Sequence, residues 1–215
     1  MPEPRGAKSK RTRNKIFDAA ADLMKEHGEQ YVTIANICEA ADISKGTFFY
    51  HFKSKDELLR YYLLERFDDY LIESNLDESE DDDVYRLILG LFHSYTSYCQ
   101  EAGIEFISAY YTPTNKALDM NITMASYDKM NILMRKCVDA LEDAVRKGYV
   151  RADWGAQKIA FDCCSVEKGC VFEWCAEGGS FDLQARVDHM MHCYFRNVVT
   201  QKYLDEFSFE EPPAA

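Results

Sequence analysis

Nothing in these 215 residues is apolar for long enough to cross a bilayer, which takes ~20 consecutive residues in a helix. The N-terminal MPEPRGAKSKRTRNK carries charge but no apolar core of the kind a secretion signal needs. Both absences point to a cytoplasmic protein with no membrane partner. The sequence also lacks the phosphate-cradling GxGxxG and GxxxxGK[ST] patterns, the GxSxG elbow of serine hydrolases and the HExxH of zinc peptidases. No pair of acids stands apart from the charge runs, so neither an enzyme nor a cofactor is expected. Cysteine is not scarce, at eight, but there is no CxxC and no Cys/His spacing of zinc-finger type. Without a secretion signal these thiols are expected to be free and reduced. Strand-like alternation is missing as well, and the expected fold is all-α.

Positive charge is in short supply: 25 Lys and Arg face 37 Asp and Glu, for a net charge of -12. The deficit is uneven. Residues 1–60 hold 11 basic against 9 acidic side chains, a balance of +2, whereas residues 61–215 hold 14 against 28, a balance of -14. Within residues 1–15, Arg5, Lys8, Lys10, Arg11, Arg13 and Lys15 face only Glu3. A polyanion such as DNA would be repelled by the body and met by the N-terminal end alone. Residues 1–10 are expected to form a flexible basic arm, with Arg11 and Arg13 reaching phosphate.

What is present lies mainly between Thr33 and Arg60, in TIANICEAADISKGTFFYHFKSKDELLR. Thr33 can cap a first short helix whose apolar face is Ile34, Ile37 and Ala41, and Asp42-Ile43 turn the chain. Ser44 then caps a second helix that sends Lys45, Gly46, Thr47, Tyr50 and His51 outward. Phe48, Phe49 and Phe52 are more aromatic bulk than so short a segment can bury alone. Ser54-Lys55-Asp56-Glu57 reads as a capping box that opens a further helix through Leu58, Leu59, Tyr62 and Leu63. Two short helices across a tight turn, backed by a third, make a helix-turn-helix. The first helix, about Thr12 to His27, buries Ile16, Ala20, Leu23 and Met24 and stops at Gly28.

From Arg13 to Leu59 the chain resembles the DNA-binding domain of the TetR family of bacterial transcription regulators. The resemblance rests on Thr33, the turn, Ser44-Lys45-Gly46-Thr47, Phe52 and Ser54-Lys55 in register. Two positions depart from the family pattern: Asp42 stands where the family commonly has Gly, and Phe49 where it commonly has a phosphate-binding Tyr. Asp tolerates the left-handed conformation better than most residues, and Tyr50, one residue on, carries a hydroxyl. The resemblance implies a helix-turn-helix domain over residues 11–60, with Lys45, Thr47 and His51 reading bases, Thr33, Tyr50 and Lys55 holding phosphates, and Ser44 and Gly46 also at the DNA. It implies double-stranded operator DNA as partner, in two half-sites about one helical turn (~10 bp) or a multiple apart.

The remainder, residues 61–205 with a tail at 206–215, reads as a helical body. Leu76 to Asp83 has six acids in eight positions and reads as a solvated loop. Helices are expected over 84–99, 103–111, 123–147, 155–177 and 183–203. The helix over 155–177 has two apolar stripes, Ile159, Cys163, Val166 and Cys170 on one side and Phe161, Cys164, Val171, Phe172 and Cys175 on the other, and so needs two partners. One is expected to be the same helix pair of a second copy. Gly169 to Trp174 resembles the eighth helix of TetR-like regulators, whose last two helices form a dimer interface. That implies a homodimer through Cys163, Val166, Cys170, Val187, Met191, Tyr194 and Val198. Cys163 and Cys170 lie ~10 Å apart along one helix axis, too far to bridge within it, though a two-fold axis could bring each to its counterpart. His189 and Cys193 share a face, but packing is the expected role there and no metal is expected.

The resemblance also implies a ligand pocket between the fifth and eighth helices and a repressor released from DNA by a small molecule. Tyr95, Tyr98, Phe106, Tyr110, Tyr111, Tyr127, Asn131, Phe161, Phe172 and Trp174 could line it, which suits a partly aromatic effector with hydroxyl groups. Two other readings remain open: a regulator that senses thiol oxidation, and a small-molecule-binding enzyme with a DNA-binding appendage.

Overall fold

The computed structural model describes residues 5–61, 67–73, 83–112 and 131–210. Tyr62, Leu63, the acidic run 76–82, and Met124, Tyr127 and Met130 lie outside the described residues. Every extended element described is a helix, and backbone pairing of the β type is limited to an isolated bridge between Val150 and Val199. The all-α expectation holds. The packing divides the chain into two units, residues 1–66 with 101–118, and residues 67–100 with 119–215.

The N-terminal unit is built on α1, Arg5–His27, with α2 (Ile34–Ala40), α3 (Lys45–His51) and α4 (Lys55–Tyr61). Helix α1 begins seven residues before the expected Thr12, so residues 5–10 are helical and not a flexible arm. Thr12 is no cap but an interior residue whose hydroxyl donates to the Lys8 carbonyl at 3.0 Å. Ile16, Phe17, Ala20 and Met24 form the buried stripe of α1, on which Ile37, Cys38 and Ala41 of α2 and Phe48 and Phe52 close. The turn after α2 depends on Asp42, at φ 47° the one described non-glycine residue with positive φ. Its amide donates to the Glu39 carbonyl at 3.1 Å, and that of Ile43 to Cys38 at 2.9 Å.

Helix α7, Ile104–Tyr110, was expected in the C-terminal body, yet it packs on α1 and α4. Phe106 meets Phe17 edge to face at 5.3 Å. A sequence pattern shows that a helix has an apolar face but not which neighbour takes it.

The C-terminal unit contains α5 (Phe67–Glu73), α6 (Val84–Ala102), α8 (Ile132–Lys147), α9 (Ala156–Ala176), α10 (Leu183–Phe195) and α11 (Gln201–Glu206). Helix α9 lies between α8 and α10. Asn131 caps α8 by accepting from the Met134 amide at 2.9 Å, so α8 starts at Ile132 and is not continuous from Thr123. The expected single helix over 183–203 is two. The chain leaves α10 to pair with the segment after α8, with Arg151 N donating to the Val198 carbonyl at 3.0 Å and Thr200 N to the Tyr149 carbonyl at 2.9 Å. Thr200 then caps α11. Far from forming a loose tail, Phe207 stacks on Tyr203 at 5.0 Å and Phe209 on the buried His192 at 4.3 Å. Tyr203 anchors this end by donating to the Asp83 carboxylate at 2.5 Å.

The conformation at Asp42 sets a simple expectation. A left-handed residue costs an ordinary side chain about 1–2 kcal/mol, a β-branched one more, and glycine nothing. In urea denaturation Asp42→Gly should be neutral or stabilising and Asp42→Val destabilising by about 1–2 kcal/mol. Equal stability of all three would show that the turn does not need this conformation.

Candidate nucleic-acid interface

Helix α3 has seven residues, too few to persist alone in water, and it is held at both ends and from behind. At its start Ser44 accepts from the Thr47 amide at 3.0 Å while the two hydroxyls meet at 2.9 Å. At its end the Phe52 amide donates to the Phe48 carbonyl at 2.8 Å. Phe48 and Phe52 are buried, their rings 6.0 Å apart, and Tyr61 of α4 lies 5.4 Å from Phe52. With these two rings facing inward, Lys45, Gly46, Phe49 and Tyr50 are exposed, Tyr50 at 82%. Phe49 is 53% exposed and braces edge-on against Phe48 at 5.6 Å.

The flanking caps form as their residue types require. Thr33 accepts from the Asn36 amide at 3.2 Å and opens α2. Ser54 accepts from the Glu57 amide at 3.1 Å, but the return bond of the box goes to Lys53, whose amide reaches Glu57 Oε2 at 2.6 Å, and not to Ser54 itself. Lys55 is thereby fixed as the first residue of α4, where unpaired amides attract anions.

Arg11 and Arg13, both expected to reach phosphate, are placed differently. Arg11 is exposed beside Lys10 and Lys15, around a depression on α1 that Ala7, Asn14 and Asp18 complete. The Arg13 guanidinium lies over the Tyr61 ring at 4.0 Å and the Phe52 ring at 5.2 Å, and the Tyr61 hydroxyl donates to Asn14 at 2.6 Å. Arg13 therefore joins α1 to α4 through cation–π contact, a role that no local sequence signal carried. It also acts on His51: burial, and then the Arg13 charge, lower the imidazole's pKa. Both effects favour the neutral imidazole in the free protein.

The described residues expected to line a ligand pocket are divided between the two units. Phe106, Tyr110 and Tyr111 are buried in the N-terminal unit. In the C-terminal unit Phe67 of α5 sits between Tyr95, at 5.1 Å, and Tyr98, at 5.2 Å. Asn131 is engaged as a helix cap. Phe161 is half-buried, whereas Phe172 is 50% exposed. Trp174 is buried under the turn that follows α9, its indole 3.5 Å from where a Cβ on Gly179 would stand. At φ 77° that glycine also favours no other residue.

The stripe expected to face a second copy lies inside the protomer. Cys163, Cys170, Val187, Met191 and Val198 are buried in the single chain, since α9 packs against both α8 and α10. Tyr194 is half-buried and donates to Asp162 at 2.9 Å, tying α10 to α9, and Val166 is half-buried. The outward face of the pair instead carries Ser165, Gly169, Phe172, Met190 and Cys193, with Phe172 and Met190 the largest apolar groups. Burial also raises the thiol pKa of Cys99, Cys137 and Cys163 well above the ordinary value, and pushes Cys164 up to about 12 and Cys170 to about 11. Thiols held protonated react slowly with oxidants, which argues against Cys163 or Cys170 as a redox trigger. Glu167 of α9, which no sequence motif marks, is buried alongside these cysteines.

Residues 16–62 match the family of bacterial regulatory proteins of the tetR type. The HTH-type transcriptional repressor KstR2 of Rhodococcus jostii is 29% identical over 78% of this chain and 81% of its own. Among solved structures, full-length TylP, a TetR regulator from Streptomyces fradiae, superposes with a TM-score of 0.62 at 21% identity, covering 96% of this chain and 94% of that one. The Thermus thermophilus FadR repressor, solved with lauroyl-CoA, does so with a TM-score of 0.58 at 19% identity, over 94% of this chain and 98% of its own. The match through α2, α3 and α4 identifies residues 16–62 as a DNA-binding domain of the tetR family, and over most of its length the chain is similar to TetR-type transcription regulators.

Proposed function

We propose that the protein is a homodimeric repressor that grips operator DNA through α3 and is released when a small molecule binds its C-terminal unit. The observation that carries this reading is the face of α3: a helix capped by Ser44, backed by buried Phe48 and Phe52, and turned outward at Lys45, Gly46 and Tyr50. A helix of this size enters the major groove with its N-terminal residues at the base edges. Lys45 and Thr47, with His51, then read bases. Thr33, Ser44, Gly46, Tyr50, Lys55 and Arg11 lie along the sugar-phosphate backbone. Arg13 acts from behind, by bracing α4.

KstR2 is named as a repressor and FadR was solved with an acyl-CoA, so relatives of this fold pair DNA binding with small-molecule control. For this chain the physical requirement is differential affinity: an effector releases DNA only if it binds the DNA-incompetent dimer more tightly than the competent one. The exposed face of α9 and α10, with Phe172 and Met190 among the small residues Ser165 and Gly169, is the surface by which two copies meet, since an apolar patch on a helix pair favours a helix-on-helix partner.

Two sets of variants test this. Lys45→Ala should relax sequence preference, costing about 1–3 kcal/mol on the best site and little on random duplex. Lys55→Ala should weaken all sequences alike and flatten the salt slope by ~1. Equal loss of specificity in both, measured by fluorescence anisotropy across salt concentrations, would show the base and phosphate roles to be wrongly divided. Phe172→Glu and Met190→Glu should each give a folded monomer at concentrations where the wild type sediments as a dimer, with operator affinity lowered at least tenfold. A dimer that persisted in both would place the interface elsewhere.

A further inference from the structure

On α9 the buried residues Ile159, Cys163, Glu167 and Cys170 follow one another at helical spacing, so Glu167 occupies a core position of an otherwise apolar stripe. It is 2% exposed, and its Oε1 is buried without a hydrogen-bond partner. Buried polar atoms in folded proteins are nearly always satisfied, and a carboxyl is among the costliest to leave alone. Its surroundings are soft and apolar. Cys99 of α6, Cys137 of α8, and Cys163, Cys164 and Cys170 of α9 all lie close enough to feel its charge. The Tyr95 hydroxyl is directed at Cys99. The cation that acts on Glu167 is Lys168, its neighbour in sequence.

We propose that Glu167 anchors an effector site built by α6, α8 and α9, and that the effector is a lipophilic organic cation, an ammonium group on an alkyl or aryl body. The inference rests on the regulator reading above and narrows it. An uncompensated acid in an apolar setting selects for opposite charge, because only a cation recovers the carboxylate's lost solvation. Tyrosine rings and thiols suit an alkylated ammonium. The balance of -14 over residues 61–215 raises the local concentration of cations and lowers that of anions. A CoA thioester of the kind bound by the FadR relative would carry phosphates into this field, so the chemistry here differs from that of the structural neighbour.

Burial raises the Glu167 carboxyl well above its ordinary pKa, which favours the protonated acid in the site without ligand. A permanent cation would expel that proton to solvent as it pairs with the carboxylate. The facing groups do not obscure this exchange. The thiols from α6, α8 and α9 are themselves raised by burial, as is Tyr194 of α10, bonded to Asp162.

The test uses the full chain and two probes of one shape, phenylbutyl-trimethylammonium and its uncharged tert-butyl analogue. By isothermal titration the cation should bind at least tenfold more tightly than the analogue, release protons as it binds, and gain affinity as the pH rises toward the raised pKa. Glu167→Gln should abolish the preference while leaving the analogue's affinity unchanged. Glu167→Leu, which puts an apolar group in the same space, should do the same, and both should melt at or above the wild-type temperature. Equal affinity for the two probes, no proton release, or a preference that survives both substitutions would overturn the proposal. Operator binding measured alongside keeps the two readings apart: DNA bound and cation ignored refutes this inference alone, whereas cation bound and no duplex preferred refutes the repressor reading and supports this one.

Discussion

The recognition surface depends on a helix too short to stand by itself. Seven residues of α3 make too few internal hydrogen bonds to offset the entropy of ordering them, so its direction is set by what lies behind it. Phe48 and Phe52 are pressed onto α1 and α4, and Ser44 closes the first turn. Arg13 of α1 spans Phe52 and Tyr61. With both rings buried, helical geometry leaves Lys45 and Tyr50 facing outward. A substitution at Phe48 or Phe52 therefore acts on the outward face of α3 as well as on the core.

Where local chemistry dictates structure, the sequence was legible. Thr33, Ser44 and Ser54 cap helices because a hydroxyl before a helical segment accepts an otherwise unpaired amide. Asp42 takes the left-handed turn because its short polar side chain tolerates it. Legibility ended where tertiary partners decide. The first helix was expected from about Thr12, but α1 runs from Arg5, through a basic stretch with no apolar stripe to announce it. The break between α10 and α11 follows from backbone pairing of Tyr149 and Arg151 with residues 198–200, far away in sequence. The stripe of α9 that holds Cys163 and Cys170 is covered within the same chain, where α9 packs on α8 and α10, whereas Phe172 of the other stripe stays exposed. Periodicity reports how many faces are covered, not by whom.

The same limit explains Glu167. It stands in register with Ile159, Cys163 and Cys170, and an acid on a core stripe was visible without coordinates. What the sequence withheld is that its Oε1 meets no hydrogen-bond partner among the described residues. The cysteines around it, which invite a redox reading, are instead small apolar fillers whose burial suppresses thiolate. Charge is thus divided by position. Basic groups gather on α1 and α3, an acidic body keeps other surfaces off DNA, and one acid is kept inside, where ligand chemistry can act on it.

The most direct test of the account is selection of bound duplexes from a random-sequence pool by the full-length protein. A TetR-type dimer reading through α3 should enrich an inverted repeat whose half-sites lie about one helical turn, ~10 bp, or a multiple apart. A pool with no enriched motif, or with a single unpaired half-site at saturation, would contradict it.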